Sequence, residues 1–413
     1  MTSMMEHMND FRRKYGFLQS KINISDPFFS LCSNNGTNGT SVNSTNCSSD
    51  GHLLRSITDG NISHTSSAAQ SFFTYFTPVI FMIGIFGNVL CLIVFTSKNM
   101  RKLSASIYLA ALSTSDLMAL FFYVLPEWLK HGLTSLPGHH SATFLQQPGT
   151  CQVMLYLQYI ARFLSSWLVV FFTIERFIGV CFPLRRKDIC DPKSSSRVIL
   201  VAIIVASTGC VFKPILSGSY TAVNGDPHCT SDPEHRYLSF ILDCIFGVTI
   251  TFIPFVLITV LNLLIIRKLV LRNRRHRKIR IITEESIIRL EFTFILLAIS
   301  ICFVSLNLPY FAIWCKSYWM YKQMFDQVFE QSILTPKDHE TNIGDLDEIF
   351  HVTRTIFYIN YCINFFLYSI TGAYFRKELK HLFLHKERGY KYSHHCSAYY
   401  SRSNSHSTPQ SWV

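Results

Sequence analysis

The sequence predicts an all-α fold: a seven-transmembrane helix bundle followed by an amphipathic helix on the cytoplasmic membrane surface. Composition is the first reason. The 413 residues are 49% hydrophobic and only 15% charged, where soluble domains carry about 25% charged residues. The second is periodicity: seven apolar helical runs occupy roughly 71–97, 104–130, 150–181, 196–217, 237–271, 287–315 and 349–370. The third is the charge of the connections, which alternates between basic and acidic along the chain and sets an orientation in the membrane.

Taken in order, residues 1–70 are polar and rich in Ser, Asn and Thr, and the first sixteen have no apolar core of a cleavable signal peptide. Six N-x-S/T sequons cluster here, at Asn23, Asn35, Asn38, Asn43, Asn46 and Asn61. The segment reads as a disordered, glycosylated extracellular tail, in which Cys32 and Cys47 either pair or stay free. The bundle, residues 71–371, follows. Its first connection, 98–103, holds Lys98, Arg101 and Lys102; 182–195 holds Arg185, Arg186, Lys187 and Lys193; 267–280 has eight bases and no acid. The alternate connections differ: 218–236 has Asp226, Asp232 and Glu234 against Arg236, and the predicted loop 316–348 has seven acids against three lysines. This bias puts the N-terminus outside and the C-terminus in the cytoplasm. Bases so distributed orient a membrane protein, and the net charge of +12 is not a nucleic-acid footprint.

Beyond the seventh run, over 372–386, Phe375, Leu379, Leu382 and Phe383 share one face with bases opposite, the pattern of a helix lying on membrane lipid. Residues 387–413 read as a disordered cytoplasmic tail. Ser397, Ser401, Ser403, Ser405, Ser407 and Thr408 offer a phosphorylation cluster for arrestin. Ser411-Trp412-Val413 fits a terminus that a PDZ protein takes, and Cys396 is a candidate for palmitoylation.

The third run carries the densest signal. From Cys151 to Arg176 a helix spans roughly 37 Å, more than a hydrocarbon core of about 30 Å, so the two lie at opposite faces. Gln158, Arg162 and Ser165 form a polar stripe on one side of this helix, directed into a bundle. With Glu175-Arg176-Phe177 at its far end and a Pro-containing basic loop after it, the run resembles the third helix of the rhodopsin-like (class A) G-protein-coupled receptors. Other residues extend the resemblance over about 75–386: Gly87-Asn88-Val89 in the first run, Asp116 in the second, Pro254 in the fifth, Phe303 and Pro309 in the sixth, Asn364 and Tyr368 in the seventh. Departures are Leu306-Asn307-Leu308 before Pro309, Phe365 after Asn364, Asn262 in the fifth run, Ile204 in the fourth and Arg289 with Glu291 at the start of the sixth. The local look is closest to invertebrate neuropeptide (FMRFamide-like) receptors.

The resemblance implies a disulfide between Cys151 and Cys229. It implies a switch and G-protein-coupling set of Glu175, Arg176, Phe303, Asn307, Pro309, Asn364 and Tyr368, with the basic run Arg272 to Arg280 lining the coupling cleft, binding anionic lipid, or only fixing topology. It also implies a polar pocket of Asn88, Asp116, Ser165, Asn360 and Asn364, holding either a sodium ion or a plain hydrogen-bond network around a protonated Asp116. No other metal or cofactor is expected. Ligand-binding candidates are Glu127, Gln158, Arg162, Arg354 and Tyr358. Gln158 stands where an aminergic receptor needs an acid, and Tyr358 where an opsin needs a lysine. Arg162 and Arg354 against the single acid Glu127 leave a site suited to a carboxylate, a sulfate or a carbonyl-rich peptide end, unless the three serve one another and water.

The functional reading is a receptor for an extracellular ligand, a neuropeptide first and a small chemosensory molecule second, that activates a heterotrimeric G protein. The tail, the acidic 316–348 stretch and Trp128 suit a larger polar ligand. No HExxH, GxSxG or phosphate-cradling Gly loop is present, and the chain is not expected to be an enzyme.

Overall fold

The computed structural model describes residues 68–136, 143–182, 184, 189–221, 227–275, 284–329 and 337–384. The sequons, Cys32, Cys47, the C-terminal tail with Cys396 and the side chains of Arg272 to Arg280 lie outside the described residues. Seven long helical segments pack around one another: α1 (Ala68–Phe95), α2 (Ser104–Ser135), α3 (Thr150–Cys181), α4 (Pro192–Ile215), α5 (Arg236–Gly247, continuing as Ile253–Arg275), α6 (Glu284–Phe329) and α7 (Lys337–Tyr358, continuing as Asn364–Thr371). A shorter α8 (Ala373–Leu384) turns away at Gly372. The first six are long and apolar enough to cross a membrane. The seventh is interrupted by a tight turn at Ile359–Tyr361.

Local chemistry starts these helices. Gly149 adopts φ +84°, a left-handed conformation open to glycine, and its N–H donates to Gln152 Oε1 at 3.0 Å. Asp191 caps α4, accepting from Lys193 N at 3.1 Å, with Pro192 at the first helical position. π-helical turns at Leu120–Val124 and Trp128–Gly132 in α2, and at Val248–Phe252 in α5, shift which faces these helices present.

The apolar runs sort by helix face. Val79, Met82 and Phe86 on α1, and Leu200, Val201 and Ile204 on α4, point outward, as a lipid-facing belt requires. Two buried clusters fill the interior. One, toward the Glu175–Arg176 end, includes Phe95, Leu109, Leu164, Ile295, Phe303, Tyr368 and Phe375. The other, toward the disulfide end, includes Phe73, Tyr123, Tyr310, Phe350, Phe357 and Tyr358.

Two connections differ from the sequence reading. The 218–236 loop contains an antiparallel hairpin, β1 (Ser217–Thr221) and β2 (Pro227–Ser231), with Ser219 opposite Cys229. Cys229 is bonded to Cys151, with Cα atoms 5.6 Å apart, so the hairpin is stapled to the start of α3. Just after it, Asp232 accepts from His235 Nδ1 at 2.8 Å; that contact holds the Asp232 carboxyl below its usual range and raises the imidazole in turn. The predicted acidic loop 316–348 is largely helical: α6 runs on to Phe329 and α7 begins at Lys337. Polar composition suggested a loop, but a helix leaving the membrane no longer needs apolar residues to continue.

Helix α8 is fixed by more than its apolar face. Phe375 is buried. Glu378 accepts from Ser97 Oγ at 2.9 Å and Asn99 Nδ2 at 3.3 Å in the α1–α2 turn. Glu291 of α6 accepts from the backbone N–H of Tyr374, capping the start of α8.

Gly87 shows why α1 and α7 can approach so closely. A Cβ built there meets the Phe365 Cβ at 2.9 Å. Gly87→Ala is therefore expected to destabilise the detergent-purified protein by about 1–3 kcal/mol, read as a lower thermal midpoint. Phe365→Ala, which keeps the offending Cβ, should not rescue it, and Phe365→Gly should recover part of the loss. A Gly87→Ala protein as stable as its parent would contradict the close packing.

Candidate functional site

At the disulfide end, the π turns of α2 carry Glu127 into the interior, where it is 4% exposed. Arg354 of α7, 2% exposed, donates from Nη1 to Glu127 Oε2 at 3.1 Å. Its Nη2 lies 2.9 Å from His351 Nδ1, and its guanidinium sits 4.3 Å from the centre of the Phe73 ring. His131 Nε2 is 3.8 Å from the same Glu127 oxygen. Tyr358 and Gln158 are also buried, and the Tyr358 hydroxyl has no hydrogen-bond partner among the described residues. Trp128 spends its indole N–H on the Thr74 carbonyl, at 2.8 Å.

A second ion pair was missed by the sequence reading, which took Glu127 as the one acid available to Arg162 and Arg354. Lys213, near the end of α4, lies 2.8 Å from Asp243 Oδ2 of α5. Tyr159 of α3 donates to Asp243 Oδ1 at 2.7 Å. Lys213 is 1% exposed and Asp243 5%. The signal was present: an acid and a base each fell inside an apolar run, where either alone is expensive. Their pairing depends on how α4 and α5 pack, which periodicity does not give.

The structure separates the two arginines. Arg162 lies deeper and is 2% exposed. None of the ion pairs among the described residues includes it, and its Nε has no acceptor. Its guanidinium lies 4.7 Å from the Tyr123 ring centre and 5.7 Å from that of Phe246. Between Arg354 and Arg162 stands a layer of aromatic rings. The Tyr123 and Tyr310 hydroxyls are 3.5 Å apart, Tyr310 stacks on Phe357 at 5.0 Å, and Phe357 meets Tyr361 edge-on at 5.4 Å.

One turn further along α3, Ser165 donates to Asp116 Oδ1 at 2.7 Å, and Asn364 of α7 donates to Asp116 Oδ2 at 2.6 Å. Asn88 donates to the Tyr361 carbonyl at 2.8 Å and the Gly84 carbonyl at 2.9 Å, leaving its Oδ1 buried without a partner. Asn360 is half-buried. Asn307 donates to the Phe303 carbonyl at 2.6 Å rather than to Asp116. A carboxylate, a hydroxyl and an orphaned amide oxygen are the hard oxygen donors that a sodium ion takes, so the residues fit such an ion.

At the other end, Arg176 donates to Glu175 Oε1 at 2.9 Å, and Ser104 of α2 donates to the same oxygen. The Arg176 guanidinium lies 5.5 Å from the Phe172 ring centre. A cavity of about 180 Å³ opens here between α2, α3 and α6, lined by Lys102, Ser104, Arg176, Cys190, Phe292 and Thr293. Phe303 is buried below it, and Pro309 interrupts the hydrogen-bond ladder of α6. Tyr368 packs between Phe95 and Phe375, at 5.2 and 5.7 Å, with its hydroxyl unpartnered.

Residues 87–368 match the family model of the seven-transmembrane receptors of the rhodopsin family. The chain is 25% identical over 332 residues to the C-C chemokine receptor type 3 of Cavia porcellus, covering 79% of this chain and 81% of that one. It is 31% identical over 193 residues to the thyrotropin-releasing hormone receptor of Gallus gallus, 46% of each. A probable G-protein coupled receptor of Caenorhabditis elegans is 28% identical over 158 residues, 38% of this chain and 35% of that one.

Breaking a buried pair leaves an unanswered charge. Lys213→Met and Asp243→Asn are each expected to cost about 3–5 kcal/mol, while the double variant, which keeps an acceptor for Tyr159, should cost less than the sum. A double-mutant cycle on thermal stability checks this. Strict additivity would show that the two groups do not depend on one another.

Proposed function

The chain belongs to the rhodopsin family of seven-transmembrane receptors and is a membrane receptor that couples to a G protein, and we propose that its ligand is an extracellular peptide bound at the disulfide end. The observation that carries this reading is the Arg354–Glu127 pair. It is a buried guanidinium–carboxylate contact, 3.1 Å long, on the disulfide side of the aromatic layer. A peptide carboxylate or carbonyl can compete with Glu127 for Arg354, and a peptide N–H or amine can take Glu127. Tyr358 stands beside this pair as a neutral partner, and Gln158 is buried on α3. Relatives named for chemokines and for thyrotropin-releasing hormone support a peptide over a small chemosensory molecule. The orientation rests on the bases of alternate connections: the disulfide end faces outward and the Glu175–Arg176 end the cytoplasm.

In this reading the resting state is held at the cytoplasmic end. Glu175 engages both Arg176 and Ser104, so Arg176 is not free to meet a G protein. Ligand binding shifts the equilibrium toward an arrangement in which α6, kinked at Pro309, moves from α3 and the cavity beside Arg176 widens. Asn307 and Phe303 lie on the path through α6, and Asn364 and Tyr368 on that through α7. Asn307 cannot act as an aromatic rotamer switch; it is an amide bound to its own helix. A sodium ion held by Asp116, Ser165 and Asn88 would add positive charge beside the Asp116 carboxylate and favour the resting packing.

A screen of amidated peptides with calcium and cAMP readouts supplies the agonist for the test. Arg354→Gln is expected to raise its half-maximal concentration about tenfold or more, with some loss of surface expression because Glu127 is left alone. Glu127→Gln combined with Arg354→Gln should recover the expression and not the potency. An unmoved dose–response at normal surface expression would remove Arg354 from the ligand site.

A further inference from the structure

Among the described residues, Arg162 is a cation with no carboxylate partner. Lys213 is answered by Asp243, Arg354 by Glu127 and Arg176 by Glu175. Asp116, one turn deeper, is engaged by Ser165 and Asn364. The two aromatic contacts of Arg162 and its hydrogen bond to the Tyr361 hydroxyl offer partial compensation, but among the described residues its Nε remains without an acceptor. Beside it is a largely enclosed cavity of about 10 Å³, bordered by Arg162, Ser166, Thr251, Asn307, Tyr310 and Tyr361.

The chemistry of this lining is specific. The lining holds no carboxylate; a guanidinium, the hydroxyls of Ser166 and Thr251, and an Asn307 amide with a second N–H present donors to whatever sits among them, with the Tyr310 and Tyr361 hydroxyls alongside. The cavity has room for a single small occupant, not for a peptide carboxylate with the chain that carries it. The layer of Tyr123, Tyr310 and Phe357 also separates it from the Arg354 site, so a peptide end does not reach it in this arrangement. A water molecule fits the volume but leaves the charge unanswered, and an uncompensated arginine at membrane depth is costly.

We infer that this cavity is a binding site for a monatomic anion, chloride, held by Arg162 with Ser166, Thr251 and Asn307 as donors. These residues come from α3, α5 and α6, with Tyr361 of α7 alongside, so the ion ties four helices together beneath the ligand site. It stabilises the arrangement seen here as any ligand specific to one state does. The site is independent of which agonist the receptor takes, because it is read without one.

The test uses the full-length detergent-purified receptor, with sodium and ionic strength held equal and chloride exchanged for gluconate. The thermal midpoint is expected to be higher in chloride by about 3–5 °C, and Arg162→Gln should lose that difference. Keeping sodium constant separates this effect from any ion at Asp116. Equal midpoints for the parent protein in the two salts overturn the site, as does an anion dependence that persists in Arg162→Gln. Should that variant fail to fold, bromide substituted for chloride in crystals of the parent protein decides. An anomalous peak within hydrogen-bond distance of Arg162 and Ser166 supports the site, and a water only, or no peak, overturns it.

Discussion

A charge in the interior of a membrane bundle has no water to solvate it, and the packing of this protein follows from how each one is answered. Three pairs do most of this. Glu127 with Arg354 joins α2 to α7 at 3.1 Å. Lys213 with Asp243 joins the end of α4 to α5 at 2.8 Å, with Tyr159 of α3 as third partner. Glu175 with Arg176 and Ser104 joins α3 to α2. Such pairs add little net stability over an apolar core, but leaving one partner alone is costly. Their effect is to fix which helices are neighbours and in what register, a specification that lipid-like side chains cannot provide for themselves. Once these contacts are set, the aromatic layer and the polar group around Asp116 have fixed walls.

The same constraint divides the interior into levels. Arg354 and its partners lie nearest the disulfide, the Tyr123–Tyr310–Phe357 layer beneath them, then Arg162, then Asp116, and finally Arg176. Helix α6 touches several of these: Tyr310 is in the layer, Asn307 borders the Arg162 cavity, Phe303 accepts the Asn307 hydrogen bond, and Glu291 caps α8. A displacement of α6 therefore changes contacts at several levels. That gives a physical reason for a ligand at one end to be felt at the other, with Pro309 as the place where the helix can bend.

Much of this was legible in the sequence, and what was not has identifiable causes. The apolar runs revealed the helices because membrane burial selects composition directly. The spacing of Gln158, Arg162 and Ser165 placed them on one face. Glu127 could be put near Arg354 through the resemblance to the rhodopsin-like receptors, whose second and seventh helices pack together. The Lys213–Asp243 pair was not found, since it depends on the packing of α4 against α5. The hairpin at Ser217–Ser231 was read as a loop: its strands are five residues each, and the disulfide and packing on α3 support them more than any alternation does. Glu378 looked like one acid among the bases of α8, and only the fold brings Ser97 and Asn99 to it. The extension of α6 to Phe329 was missed because acidic composition carries no record of helical geometry.

The chain is a receptor, and in the proposed resting state ion pairs hold it closed, with Glu175–Arg176–Ser104 as the set facing the G protein. The direct measurement is basal nucleotide exchange on a purified heterotrimeric G protein, catalysed by the full-length receptor in lipid nanodiscs without agonist. Glu175→Gln keeps the shape and removes the charge that holds Arg176. Exchange severalfold above that of the parent protein is expected, with surface expression near normal. Exchange no faster than with the parent receptor, for a Glu175→Gln protein that is folded and inserted, would contradict it.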